Sequence, residues 1–200
     1  MFTLVAGAYR YLTRVDEYNV LVLGLDGAGK TTVLEKVKQL ATGVSGMAPD
    51  KIRPTVGVNI AKVHRERCVM RFMDLGGHSD LRGIWDSYFA DCHAVAFVVD
   101  SGDRARLDEA RGVLLGLVAR AELAGLPVLV LANKQDAADV KALLAVKELI
   151  NSVADELDGR DVRVLGASGV DGAGLQEAID WLLHRMLENS AARPPASSGH

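Results

Sequence analysis

The stretch Gly24-Leu25-Asp26-Gly27-Ala28-Gly29-Lys30-Thr31 has the form G-x-x-x-x-G-K-[ST], and its reading decides the fold. It follows the apolar run Val20-Leu21-Val22-Leu23, which reads as a buried strand. It precedes Thr32–Leu40, in which Val33, Leu34, Val37 and Leu40 share one helical face. Strand, glycine-rich loop and helix in that order suit a phosphate chain. Glycines let several backbone N–H groups turn inward, and the helix start adds the positive end of its dipole. Lys30 supplies a point charge for the β- and γ-phosphates, and the Thr31 hydroxyl is placed to hold Mg²⁺. The candidate phosphate-binding set is therefore Gly24, Leu25, Asp26, Gly27, Ala28, Gly29, Lys30, Thr31 and Thr32.

Outward from this loop, strands and helices alternate. The loop 42–54, with Gly, Ser and Pro, leads to a half-exposed strand near Val58–Lys62. A second strand, Val69–Met73, follows a turn at 65–67, and the two predict a hairpin. Continuous apolar runs Ala94–Asp100 and Pro127–Leu131 read as buried parallel strands, and Val162–Leu165 as a shorter one. Helices are expected with Leu107, Ala110, Leu114, Leu117 and Val118 on one stripe, over about 140–154, and from Leu175 to Met186. The pattern predicts a doubly wound, mostly parallel six-stranded α/β sheet with helices on both faces. Ligands of such sheets bind beyond the carboxyl ends of the strands, where the loop, Asp74, Asn133 and Ser168 all fall.

Asp74-Leu75-Gly76-Gly77 closes the hairpin: the Asp74 carboxylate is a candidate Mg²⁺ ligand and the Gly77 N–H a γ-phosphate contact. Thr55, after Pro54, offers a hydroxyl that ligates Mg²⁺ only when the γ-phosphate is present, which would order its loop in one state. Asn133-Lys134-Gln135-Asp136 is the most specific of the downstream signals. The Asp136 carboxylate can accept from the N1–H and exocyclic amine of guanine. Adenine offers neither donor there, which argues against an ATPase or P-loop kinase. Asn133 braces the loop and the Lys134 stem packs on the base. Ser168 and Gly169 are expected to present N–H groups to the guanine O6, with Ala167–Ser168 as the alternative register. Trp85, Tyr88 and Phe89 read either as an effector surface or as core contacts. Cys68, Cys92, His93 and His184 are assigned to packing or structure.

Two hundred residues suit one full-sized core, and a net charge of −3 argues against nucleic acid as a partner. Two cysteines cannot build a disulfide framework, so a reducing compartment is expected. Neither a membrane span nor a signal peptide is expected. Residues 1–16 read as an amphipathic helix, with Phe2, Val5, Tyr9 and Leu12 on one side, that lies on a lipid surface or docks on its own domain. Residues 17–189 form the nucleotide-binding domain, and the Pro/Ser-containing 190–200 are expected to be a disordered tail. With Phe2 in place of glycine, myristoylation is not expected, and Ser197-Ser198-Gly199-His200 is no prenylation box.

These motifs together resemble the ADP-ribosylation factor (Arf) family of small GTPases, from residue 1 to about 189. The Met1-Phe2-Thr3-Leu4 start, Asp16-Glu17-Tyr18, Glu35, Cys92-His93 and Arg193-Pro194-Pro195 are most similar to the Arf-related protein branch. The resemblance implies a monomeric GTP/GDP switch with Mg²⁺ that hydrolyses GTP slowly unaided. Its partners would be a guanine-nucleotide exchange factor, a GTPase-activating protein and effectors. It would be cytoplasmic and peripheral on Golgi or trans-Golgi membranes, with an acetylated N-terminus and a membrane-protein receptor, helping to recruit Arf-like proteins and tethers. It also implies that the hairpin shifts register with nucleotide and expels the N-terminal helix. One position departs from most of the family: His78 stands where glutamine orients the attacking water. His78 is either the water-positioning residue or a solvated switch residue. A Sar-like GTPase that starts coats at the endoplasmic reticulum, which resembles the chain in this histidine, is the alternative. A nucleotide-dependent binding module with negligible hydrolysis is another.

Overall fold

A computed structural model describes residues 15–55, 57–65, 67–137, 140–157 and 159–197. The expected N-terminal helix falls on residues 1–14, outside the described residues. Asp16, assigned to that helix by the sequence reading, is instead the first residue of a strand.

In chain order the main elements are β1 (Asp16–Leu23), α1 (Lys30–Thr42), β2 (Val58–Arg65), β3 (Cys68–Leu75), α2 (Asp86–Phe89), β4 (Ala94–Asp100), α3 (Leu107–Val118), β5 (Val128–Asn133), α4 (Val140–Asn151), β6 (Val162–Gly166), α5 (Leu175–Glu188) and β7 (Ala196–Ser197). The sheet order is β2-β3-β1-β4-β5-β6, with β7 pairing β1 as a short addition. Among the described residues only β2–β3 and β1–β7 run antiparallel; the other four pairings are parallel. The expected doubly wound, mostly parallel sheet is thus observed.

Both sheet faces are buried, which is why β4 and β5 are apolar without alternation. On one face Leu21, Leu23, Phe97 and Val99 pack with Trp85 and Phe89 of the α2 region, Leu114 of α3 and Val146 of α4. On the other, Val20, Val22, Ala96 and Val98 meet Val33, Leu34 and Val37 of α1 and Ile179 and Leu182 of α5. Trp85 and Phe89 are therefore core contacts. Leu40, placed by its spacing on the buried stripe of α1, lies in the last turn and stays exposed. Gly43 ends that helix in a left-handed conformation (φ 71°), its N–H bonded to the Gln39 carbonyl. On β2 the alternation is real: Ala61 and Val63 point into the core, while Val58 and Ile60 are exposed.

The C-terminal segment corrects the expectation of a disordered tail over its described part. A 3₁₀ turn, Asn189–Ala191, leads to Arg193, whose guanidinium donates to the carbonyls of Cys92 (2.9 Å), Phe89 (3.0 Å) and Glu122 (2.8 Å). β7 then pairs Ala196 with Glu17 and Ser197 with Asp16. The His93 ring closes the clasp. Its Nδ1 accepts from the Asn19 N–H (3.0 Å), so its proton sits on Nε2, 3.1 Å from the Pro194 carbonyl. Burial holds His93 below its usual pKa, which favours this neutral form. Pro/Ser composition signals poor hydrophobic burial, but not one arginine that ties down three carbonyls.

Candidate nucleotide-binding site

The strand order reverses direction between β1 and β4, and the loop after β1 sits in that crevice. The fit is close. A Cβ on Gly24 (φ 138°) would lie 2.2 Å from the Val98 carbonyl oxygen of β4. One on Gly29 (φ 89°) would lie 2.4 Å from Asn133 Nδ2. The first i→i−4 bond of α1 runs from the Val33 N–H to the Gly29 carbonyl (2.9 Å), so the N–H groups of Lys30, Thr31 and Thr32 open the helix toward the crevice.

Lys30 is buried and folds back along the loop, with Nζ donating to the carbonyls of Leu25 (2.7 Å) and Gly24 (3.1 Å). Burial lowers its pKa to about 8, against the opposing pull of Asp74. Its ammonium thus sits among neutral acceptors, the environment an anionic ligand would improve.

Three oxygen-bearing side chains from three elements converge beside it. Thr31 Oγ1 lies 2.7 Å from Thr55 Oγ1 and donates to Asp74 Oδ2 at 2.6 Å; Thr55 Oγ1 is 3.3 Å from the same oxygen. Asp74 is the penultimate residue of β3, is fully buried, and has its pKa raised chiefly by desolvation. Its Oδ1 is buried and takes no hydrogen bond among the described residues. Two hydroxyls and a carboxylate with one orphaned buried oxygen form a hard, all-oxygen donor set, which fits Mg²⁺.

The neighbouring loops define the rest of a cavity of ≈ 630 Å³. Gly77 presses against the P-loop: a Cβ there would meet Lys30 Nζ at 2.3 Å and the Gly24 carbonyl oxygen at 2.5 Å. His78 lines the same cavity from its mouth. It is exposed, with Nδ1 3.6 Å from Asp80 Oδ2.

At the far end Asn133 ties two loops to its own. Its Nδ2 donates to the Ala28 carbonyl (2.8 Å) and its Oδ1 accepts the Gly169 N–H (3.0 Å), both in buried surroundings. Lys134 is left-handed (φ 65°), and its Nζ pairs with Asp100 Oδ2 at 2.6 Å. Asp136 is exposed and accepts the Ser168 hydroxyl (2.7 Å), leaving the carboxylate open outward. The Ser168–Gly169 expectation needs correction here. The Ser168 N–H is bonded to the Ala173 carbonyl (3.0 Å) and that of Gly169 to Asn133, so neither is free for a base. The Ser168 hydroxyl acts instead. It steadies Asp136 and accepts from Val170 and Asp171 N–H.

Sequence reasoning missed two residues around this site, Asp100 and Arg106. Asp100, partner of Lys134, closes the apolar run of β4 at a carboxyl strand end, a position that could have flagged it. The carboxylate of Asp26, a residue of the phosphate-binding loop, is bound by Arg106 (2.8 Å), which holds its pKa down. Nothing in the sequence ties Arg106 to Asp26, eighty residues away.

The comparisons with known proteins agree with this geometry. The model of the ADP-ribosylation factor family matches residues 7–186. ADP-ribosylation factor-like protein 3 of Saccharomyces cerevisiae is 42% identical over 98% of this chain and 98% of its own length. ADP-ribosylation factor-related protein 1 of Homo sapiens is 40% identical over 98% of this chain and 97% of its own. The solved structure of the Arl6 BBS3 small GTPase from Trypanosoma brucei with bound nucleotide analogue GppNp superposes with a TM-score of 0.72. It is 30% identical and covers 86% of this chain and 98% of that one. The chain therefore belongs to the ADP-ribosylation factor family, as a small GTPase that binds GTP and GDP and hydrolyses GTP as a molecular switch.

Proposed function

We propose that this GTPase works as an Arf-related switch on Golgi and trans-Golgi membranes, regulating vesicle traffic by recruiting Arf-like proteins and tethers when loaded with GTP. The observation that carries the switch reading is the meeting of Thr55 with Thr31 and Asp74. Thr55 stands on the loop before β2, and its hydroxyl joins the other two only when that loop folds in over the P-loop. In this reading Thr31, Thr55 and Asp74 hold Mg²⁺, which when bound offsets negative charge on the phosphates. Lys30 turns from the loop carbonyls to the phosphates, and Asp136 takes the Watson–Crick edge of guanine. His78 orients the attacking water from the cavity mouth. Loss of the γ-phosphate removes the reason for Thr55 to stay folded in, and the loop opens.

The membrane assignment is supported by similarity at about 40% identity, over nearly the whole chain, to proteins named as Arf-related. No helix among the described residues is long and apolar enough to cross a membrane. In the proposed reading, recruitment rests on residues 1–14, the bilayer surface and a membrane-protein receptor. Regulators are an exchange factor and a GTPase-activating protein. Two arms test the proposal. A tagged chain should mark Golgi membranes and lose them on Thr31→Asn; marking of endoplasmic-reticulum exit sites instead would favour the Sar-like alternative. In single-turnover assays His78→Ala should slow hydrolysis by roughly tenfold or more with GDP affinity kept, and an unchanged rate would remove His78 from the mechanism.

A further inference from the structure

A ladder of charged side chains that runs outside the cavity to Asp26 on its lining joins the two loops that face the γ-phosphate. Arg82, in the 3₁₀ turn Ser79–Ile84, donates from Nε to the Gly77 carbonyl (2.9 Å) and from Nη2 to Glu109 Oε1 (3.0 Å). Glu109, in the first turn of α3, accepts Arg106 Nε at its other oxygen (2.9 Å). Arg106 then grips the P-loop twice, at the Asp26 carboxylate (2.8 Å) and the Asp26 carbonyl (3.0 Å). Charges alternate along the whole run. Its middle rests on α3, which is anchored in the core through Ala110, Leu114 and Leu117.

The end of the ladder matters most. Arg82 grips not another charge but the peptide linking Gly77 to His78. The peptide before it is fixed as well, by the buried Trp85 indole N–H on the Gly76 carbonyl (3.0 Å). In a trans peptide the C=O and N–H point opposite ways. Trp85 thus sets the direction of the Gly77 N–H, and Arg82 sets that of the His78 N–H and the start of its side chain. Gly77 lies so close to the P-loop that an added Cβ would meet Lys30 and Gly24.

We propose that Arg82 is a positioning residue for γ-phosphate recognition and hydrolysis. Through Glu109 and Arg106 it locks the Gly77–His78 peptide to the P-loop residue Asp26. The proposal rests on the reading of Gly77 and His78 as the γ-phosphate-facing segment. GDP lacks the group that this segment meets, so the ladder contributes to GTP affinity and to turnover, and not to GDP affinity. All four side chains are part-exposed, so salt weakens the lock.

The test uses Glu109→Gln, which removes one charge far from the phosphates and keeps the shape of the side chain. Single-turnover hydrolysis and the preference for GTP over GDP should each fall by about two- to fivefold, with the thermal midpoint and GDP affinity unchanged. Raising KCl should slow the wild type toward the variant and leave the variant nearly flat. Arg82→Lys, which cannot keep both bonds, should give the same loss, and the double variant should lose no more. A wild-type rate with intact salt response in Glu109→Gln would overturn the proposal. So would equal losses of GTP and GDP affinity, which mark a merely structural role. The preference for GTP is read through the Gly77 peptide, so failure of the ladder is distinct from failure of His78→Ala.

Discussion

Raise the pH from 7 to 8.5, and GTP should bind this protein about fourfold more weakly because of Lys30. Without a phosphate partner the buried ammonium faces only carbonyls and Asp74, and its pKa is down to about 8. Beside a triphosphate it should return to at least its ordinary value of 10.5. Binding then raises the pKa, so a proton is taken up. The advantage is complete below pH 8 and is lost as pH climbs through 8 toward the bound value. At pH 8 about half a proton should enter per GTP bound, and at pH 7 about a tenth. Calorimetry of nucleotide-free protein at fixed magnesium, in two buffers of different ionisation enthalpy, reads the uptake directly. The ligand-free protein should move the opposite way. Its unfolded form keeps the Lys30 proton up to 10.5, so the Lys30 contribution to stability rises between pH 8 and 10.5. Flat affinity together with no proton uptake at pH 8 would refute the assignment of Lys30 as the phosphate-facing charge.

Asn133→Ala should cost about 2–4 kcal/mol in a denaturant melt, because it strands the buried Ala28 carbonyl and Gly169 N–H. A loss under about 0.5 kcal/mol would mean that water replaces the brace. Arg193→Ala should cost about 1–3 kcal/mol and speed amide exchange at Glu17, which pairs with Ala196 of β7, while the Asp16 amide, bonded to the Arg67 carbonyl, and the P-loop amides keep their protection. Unchanged exchange at Glu17 would show that β7 holds without the clasp.

What the sequence made legible was whatever the backbone demands contiguously. The P-loop must be written as adjacent glycines followed by Lys30 and Thr31, because neighbouring N–H groups have to converge. Strand ends that carry Asp74 and Asn133 can be read because the apolar runs before them are buried on both sides. Leu40 escaped because helical periodicity names a face and does not say how far along the helix that face stays covered. The Ser168–Gly169 loop escaped for a different reason. A sequence shows which N–H groups exist and not which are already bonded, and here Ala173 and Asn133 take both.

The same distinction explains why distant features of this chain looked unrelated until folded. Cys92-His93 and Arg193-Pro194 stand a hundred residues apart, yet Arg193 binds the Cys92 carbonyl and His93 faces that of Pro194. Asp26 and Arg106 behave alike. A bridge made by long side chains imposes no spacing on the sequence, since an arginine reaches its acceptor from many backbone positions. Such bridges nonetheless act on backbone groups whose own geometry is tightly set: the β1 entry in one case, the Gly77–His78 peptide in the other. Two relatives can therefore share every glycine of the P-loop and still differ in how firmly its surroundings are held. It follows that rates and state preferences should diverge within such a family faster than nucleotide choice, because Asp136 leans on one neighbouring hydroxyl, that of Ser168, whereas the Gly77 carbonyl is held through a chain of four charges.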